Sequence, residues 1–365
     1  MRCFAEIDLG QLRENARILC AGLPKGCGVM AVVKANAYGH GAAAVAKELW
    51  SVGVTQFAVA TLDEGIELRQ AGVAGEILVL GYTPPRFVKE ALQYDLTQTV
   101  LSEEHAEALI ATGVRVKCQL AVDTGMHRLG VPADSDLVLR TALRCRERLS
   151  LLGVFTHLSS ADEEGGEAEA FTKAQLEAFR AVCRLLSPLG LPYFHALNSA
   201  GGLYYGGIGN LVRFGIALYG ISPNPKRALP DGVRPILSWK SRVLLTKTVK
   251  AGACIGYGRE YVAPRDMEIA ILGVGYADGY RRAWSCGYVM IGGRRAPVVG
   301  RVCMDLLTVD VTELLPVRVG DTATLLGEGV DAWCLAEQAE SIPYEVLTGI
   351  SPRVSRVYKG GDAFL

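Results

Sequence analysis

The stretch VMAVVKANAYGHGA, Val29 to Ala42, is an apolar run that halts on a lysine and turns at once into small and polar residues. An unbroken apolar run of this length reads as a strand buried on both faces. Just behind it, GAAAVAKELWSVG (41–53) repeats its apolar residues at intervals of three and four and stops at glycine, the pattern of a helix. The same strand–turn–helix unit recurs. Runs at 29–34, 56–61, 76–82, 96–101, 116–123, 151–157, 193–198 and 211–215 alternate with helical patterns such as FTKAQLEAFRAVCRLLSPLG (171–190). Eight strand–helix units in about 220 residues predict an α/β fold, a (β/α)8 TIM-like barrel. A doubly wound open sheet is the alternative.

Past the barrel pattern, SPNPKRALPDGVRP (222–235) holds four of the fifteen prolines and reads as a linker. Beyond it, short strands alternate with turn residues, and only DAWCLAEQAES (331–341) has a helical pattern. Gly292-Gly293 between two apolar runs is a hairpin signal. The expected division is therefore a barrel over 1–230 and a mostly β C-terminal domain over 231–365.

Bulk properties narrow the function. Lys+Arg and Asp+Glu both number 38, so the formal net charge is zero and there is no electrostatic case for nucleic acid or anionic membrane as a main partner. The ten cysteines stand singly, with no Cys-x-x-Cys pair and no histidine at metal-ligand spacing, so no metal is expected. The opening MRCFAEIDLG places acidic residues where a signal peptide would be apolar, and charges interrupt every long apolar stretch. These features predict a cytoplasmic location with reduced thiols.

Working residues of such a barrel sit at the C-terminal ends of its strands. Those ends supply Lys34, Asp123, His157, Asn198 with Ser199, and Arg213. Lys34 reads either as a lysine reaching into water or as a desolvated amine able to form a Schiff base, and the nearby Tyr38 and His40 favour a polar pocket. NSAGG (198–202) reads as a helix N-cap or as a phosphate cradle, and Gly215 with Ile216 at the eighth strand end matches the phosphate site common in these barrels. Arg213 lies inside a strand and needs a partner, for which a carboxylate is the simplest choice. His157 and His195, taken singly, read as satisfied core histidines. GVGYADG (273–279) lacks the spacing and the following helix of a nucleotide fingerprint.

VVKANAYGHG (32–41) resembles the cofactor-lysine motif of the alanine racemases, barrel-type pyridoxal-phosphate enzymes. DTGMHRLG (123–130), THLSSADE (156–163), NSAG (198–201), VRFGIALYG (212–220), IGYGREY (255–261), GVGYADG (273–279) and GRVCMD (300–305) match the same family, in order, across nearly the whole chain. The resemblance implies racemisation of L- and D-alanine by two bases, with D-alanine going to cell-wall peptidoglycan. Lys34 would carry pyridoxal 5'-phosphate and act as one base. Tyr257 would be the other, arriving from the partner subunit of a homodimer with shared active sites. Tyr38, Ser199, Gly215 and Ile216 resemble the phosphate ligands, and His157 and Arg213 a relay to the tyrosine. Arg213 would also face the pyridine nitrogen, where many cofactor enzymes place a carboxylate. Arg128, Met304 and Tyr276 resemble residues of the substrate pocket.

Two positions depart from the family pattern. Many members carry a lysine that becomes carbamylated two residues before the Asp of DTGM and orients the arginine, and here it is Ala121. Some carry a tyrosine near the cofactor phosphate where this chain has Pro352. That change keeps a serine or broad-specificity racemase of the vancomycin-resistance type open. An amino-acid decarboxylase on a similar two-domain barrel and a single-barrel cofactor carrier are more distant alternatives.

Overall fold

A computed structural model describes residues 1–314 and 316–361. The chain divides into two compact units. The barrel unit comprises Leu12–Ala37 and Ala42–Arg234. The β-rich unit comprises Met1–Gln11, Tyr38–Gly41 and the chain from Pro235 onward.

In the barrel unit eight parallel strands follow one another as the alternating apolar runs predict: Gly28–Val32, Gln56–Val59, Glu76–Val79, Thr97–Val100, Lys117–Asp123, Ser150–Phe155, Tyr193–His195 and Leu211–Phe214. The eighth pairs in parallel with the first, Leu211 opposite Gly28 and Phe214 opposite Ala31. The seventh and eighth are joined by two backbone bonds, Asn210 N–H to Phe194 O (2.8 Å) and Arg213 N–H to Leu197 O (2.9 Å), which leaves the barrel nearly closed. Phe57, Ile77, Leu78, Val79 and Leu120 are fully buried, and each such side chain contributes about 1.5–3 kcal/mol.

Helix starts are fixed by side-chain caps. Thr61 and Glu64 form a capping box at Leu62–Gln70, Ser102 accepts from His105 N–H at Glu103–Ala111, and Asp134 accepts from Leu137 N–H at Ser135–Arg148. Each such cap contributes about 1 kcal/mol.

The β-rich unit is built on one long strand, Leu237–Val249, whose first seven residues alternate buried and half-buried. It pairs antiparallel with Cys3–Asp8, Met267–Leu272 and Thr322–Leu326. Cys3–Asp8 also pairs in parallel with Ser355–Lys359. The first eight residues, placed with the barrel by the expected 1–230 range, thus form their ladders in this sheet; sequence alone could not reveal pairing across more than 200 positions. The hairpin Tyr288–Ile291 to Arg294–Pro297 turns on Gly292 and Gly293, both at positive φ (57° and 75°), as a tight hairpin of this twist requires. DAWCLAEQAES forms the helix Ala332–Gln338, and a second helix, Pro343–Thr348, follows. Trp239, Tyr280 and Trp284 centre the core, the last two edge to face at 5.0 Å.

No disulfide links any of the ten cysteines. Among the described residues no helix is long and apolar enough to cross a membrane.

Candidate active site

Lys34 lies two residues past the first barrel strand, half-buried. Burial and then Arg128 push its amine below the usual lysine range, Arg213 adds to this, and Glu64 opposes it. The residues behind it wind the wrong way. Ala35, Asn36, Ala37 and Tyr38 all have φ between 51° and 53°, a left-handed turn built without glycine. Left-handed geometry costs roughly 1–2 kcal/mol per such residue, so the turn must be held from outside. Asn36 Oδ1 accepts from Ala42 N–H (2.8 Å), and Ala37 N–H donates to Val33 O (2.8 Å).

Arg213 is 3% exposed inside the eighth strand. Among the described residues it meets no carboxylate, contrary to the simplest expectation. One terminal nitrogen donates to His195 Nδ1 (2.7 Å) and His195 O (3.1 Å), and the other to Thr156 O (2.7 Å), His157 Nδ1 (3.1 Å) and Ala196 O (3.2 Å). The backbone carbonyls at the ends of the sixth and seventh strands converge there, so partial charges replace a counter-ion. Burial and Arg128 push its pKa down to about 9, which leaves it charged at neutral pH. Its Nε–H has no partner among the described residues.

A guanidinium only donates, so both imidazoles must present a bare Nδ1 to it. His195 then carries its proton on Nε2 and donates to Gln119 Oε1 (2.6 Å). Burial first, then Arg213, push both histidines well below the ordinary imidazole value and keep them neutral; Arg128 and Lys34 act on His157 in the same sense. Nothing in the sequence pattern points to Gln119. The His157 main chain is tied down by Gln175, which donates to its carbonyl (3.2 Å) and accepts from Ser159 N–H (3.0 Å).

The N-cap reading of NSAGG holds. Asn198 caps the helix Ser199–Tyr204 by accepting from Gly201 N–H (2.8 Å). Ser199 Oγ accepts from Gly215 N–H (3.0 Å) and Ala217 N–H (3.4 Å), drawing the end of the eighth strand to the helix start. The N–H groups of Ser199, Ala200 and Ile216, on residues 1–5% exposed, find no acceptor among the described residues. An unmet buried N–H costs about 1–3 kcal/mol, so this donor set suits an anion with several oxygens.

Asp123 turns inward to its own loop, accepting from Gly125 N–H (2.9 Å) and His127 N–H (3.1 Å), and so shapes DTGM rather than facing the rim. Arg128 is exposed and has no hydrogen-bond partner among the described residues, while Ala121 is buried.

The remaining site residues belong to the β-rich unit. Tyr38 is buried there, which pushes its phenol up, with its ring 5.9 Å from that of Tyr344. Tyr257, Tyr276 and Met304 are instead exposed, at 68%, 43% and 53%. One segment, 300–305, displays all three. The turn holding Tyr257 packs on Arg301, which pairs with Glu260. Tyr276 N–H donates to Cys303 O (3.0 Å), and Ala277 N–H to Met304 O (3.0 Å). Buried Asp278 anchors this turn, binding Arg2 (2.8 Å), Arg353 (2.8 Å) and Gly275 N–H (3.0 Å).

Barrel and rim together mark a class of fold: a (β/α)8 barrel whose strand ends carry a half-buried amine of lowered basicity and a set of unmet amide donors. Family models narrow it. The alanine racemase N-terminal domain matches residues 7–223, and the alanine racemase C-terminal domain matches 236–358. The alanine racemase of Citrifermentans bemidjiense is 43% identical over 97% of this chain and 98% of its own. A protein named amino-acid racemase from Enterococcus faecalis is 40% identical over 97% of this chain, which spans about half (51%) of that longer relative. A crystal structure of alanine racemase from E. faecalis superposes with a TM-score of 0.93 at 36% identity, covering 98% of both chains. Another, from Bacillus anthracis with bound L-Ala-P, gives 0.91 at 34% identity over 98% of this chain and 95% of that one. The chain belongs to the alanine racemase family.

Proposed function

We propose that this protein interconverts L- and D-alanine with pyridoxal 5'-phosphate, supplying D-alanine for cell-wall peptidoglycan. The observation that carries the reading is the pairing of a lysine of lowered basicity with a buried arginine whose counter-charges are carbonyls and imidazoles. The donor set fits the cofactor: Lys34 would hold the aldehyde carbon, Arg213 Nε–H the ring nitrogen, and the amides of Ser199, Ala200 and Ile216 the phosphate, with Tyr38 and Gly215 beside it. When bound, the cofactor supplies a conjugated ring that withdraws electrons from the substrate α-carbon and so acidifies its hydrogen.

Every other task falls to the chain. Lys34 Nζ, its basicity lowered by burial and freed when the substrate amine takes its place, would accept the α-hydrogen on one face and could return it. Inversion also needs a proton donor on the opposite face. Tyr257 has that role, contributed by a second copy of the chain, and its exposure beside Met304 and Leu306 supports a shared interface. Met304 and Tyr276 come across the same interface to line the substrate pocket, and Arg128 steers the substrate carboxylate. His157, neutral and bonded to Arg213, relays charge toward the phenol. Arg213 stays charged and has no proton to hand over, so beside a bound cofactor it would leave the ring nitrogen unprotonated and restrain electron withdrawal, which argues against a decarboxylase. The ten free thiols support a cytoplasmic location.

The test is a chiral product assay with L-alanine in heavy water: racemisation with α-deuterium incorporation is expected, and carbon dioxide release without racemisation would refute the reading. Serine or broad specificity is the second reading. It is favoured by the small, exposed Pro352 and by the E. faecalis relative's name. A tenfold or greater kcat/KM preference for serine, about 1.4 kcal/mol, would establish it.

A further inference from the structure

Glu64 stands 30 positions from Lys34 and belongs to no motif that points to chemistry. It looks like an ordinary capping residue: Oε2 accepts from Ala60 N–H (2.6 Å) and Thr61 N–H (3.3 Å), and Thr61 Oγ1 accepts from Glu64 N–H (3.3 Å). A capping box uses one carboxylate oxygen. The other is spent elsewhere. Oε1 accepts from Ala35 N–H at 2.7 Å, across two strands' connections and directly behind Lys34.

Ala35 is the first residue of the left-handed turn. Its N–H follows the Lys34 carbonyl, so fixing that amide fixes the peptide plane from which the lysine side chain departs. The strand itself is secured up to Val33, whose N–H donates to Ala58 O (2.9 Å). Beyond that, Glu64 bridges three backbone N–H groups on two connections with a single charge. Bonds to an ionised acceptor are about twice as strong as neutral ones. Four consecutive residues in a disfavoured conformation need such a brace, because relaxation toward right-handed geometry would swing the amine away.

We propose that Glu64 is a positioning residue for Lys34: its carboxylate clamps the Ala35 amide to the start of helix Leu62–Gln70 and thereby holds the strained turn that aims the amine. The inference rests on the cofactor-lysine reading above. It also assigns an electrostatic role. Glu64 is the acidic group acting on Lys34, against Arg128 and Arg213, with His157 neutral nearby.

The test compares wild type with Glu64→Gln, Glu64→Asp and Thr61→Ala, each purified with bound pyridoxal phosphate. Two quantities are read: the rate of cofactor release into a trap, and the pH profile of borohydride fixation at Lys34, located by peptide mapping. Thr61→Ala removes the helix cap alone and is expected to lower thermal stability while changing neither quantity. Glu64→Gln is expected to release cofactor about tenfold faster or more, and to move the Lys34 profile to lower pH because a carboxylate that raises its basicity is gone. Glu64→Asp keeps the charge but cannot span both connections, so the profile returns and fast release remains. Release and profile within twofold of wild type in Glu64→Gln, or equal changes in Thr61→Ala, would overturn the proposal. If Glu64→Gln does not fold, unchanged release in Glu64→Asp overturns it. Wild-type fixation at a lysine other than Lys34 would sink the cofactor-lysine reading instead, before Glu64 is in question.

Discussion

Below neutral pH, His195 should make the protein weaker. Its ring is fully buried, Nδ1 faces an Arg213 donor at 2.7 Å, and Nε2 faces Gln119 Oε1 at 2.6 Å. A second proton has no place on Nδ1, since it would point at an N–H of a cation. The folded-state pKa is therefore depressed, as burial and Arg213 both require. In the unfolded chain the imidazole titrates near 6.5. Below that value the unfolded state binds a proton that the folded state refuses, so stability rises with pH through this window and is lost as pH falls. Between about pH 7.5 and pH 5.5 the linkage from His195 alone is at most RT ln 10, roughly 1 kcal/mol, reached when the folded ring stays unprotonated throughout. His157 and His105, also depressed by burial, add loss of the same sign. Urea unfolding of the cofactor-free chain across that range measures the total. His195→Gln keeps one acceptor and one donor without a titrating group, so its pH slope should be shallower, by up to roughly 1 kcal/mol over the same range. Parallel slopes for variant and wild type would refute the tautomer and the burial argument together.

Lys34→Ala should abolish the visible absorbance of bound cofactor and racemisation alike; absorbance that persists after dialysis would assign the linkage to another lysine. Tyr257→Phe should cut racemisation by about 10²–10⁴-fold while α-hydrogen exchange continues from one alanine enantiomer, and undiminished racemisation would remove the second base. Asp278→Asn removes the buried charge from two arginines that are themselves partly exposed, one of which, Arg353, keeps Asp305. Solvent reaches both arginines, so the cost in urea unfolding should be about 1–3 kcal/mol, set mainly by the lost bonds to the buried acceptor, and no measurable loss would mean the hub contributes little.

The barrel was legible because its strands are short, buried on both faces and separated by helices, a pattern that a one-dimensional reading captures. Lys34, His157 and Arg213 were legible for a related reason, since strand ends in such a barrel share a rim. What stayed hidden depends on distance along the chain. The ladder between Phe4 and Lys240 has no local signature. The Arg213 environment misled because a strand arginine suggests a carboxylate, whereas the carbonyls of Thr156, His195 and Ala196 carry no sequence signal at all. The left-handed turn was also invisible: Ala35 and Ala37 are good formers of right-handed helix, and only their contacts hold them at positive φ. Glu64 carried no sequence signal of a site role, because its second bond reaches back 29 residues.

The interleaved course of the chain has a consequence for biosynthesis. Cys3–Asp8 leaves the ribosome well before both of its ladder neighbours, Leu237–Val249 and Ser355–Lys359, which follow more than 200 positions later. At about 5–20 residues per second, that segment waits tens of seconds with its edges open. Its alternation of apolar residues with Glu6 and Asp8 puts charge along an otherwise sticky edge during the delay. A gene cut between the two units would strand this segment permanently, so splitting the protein for expression calls for a circular permutation rather than a truncation.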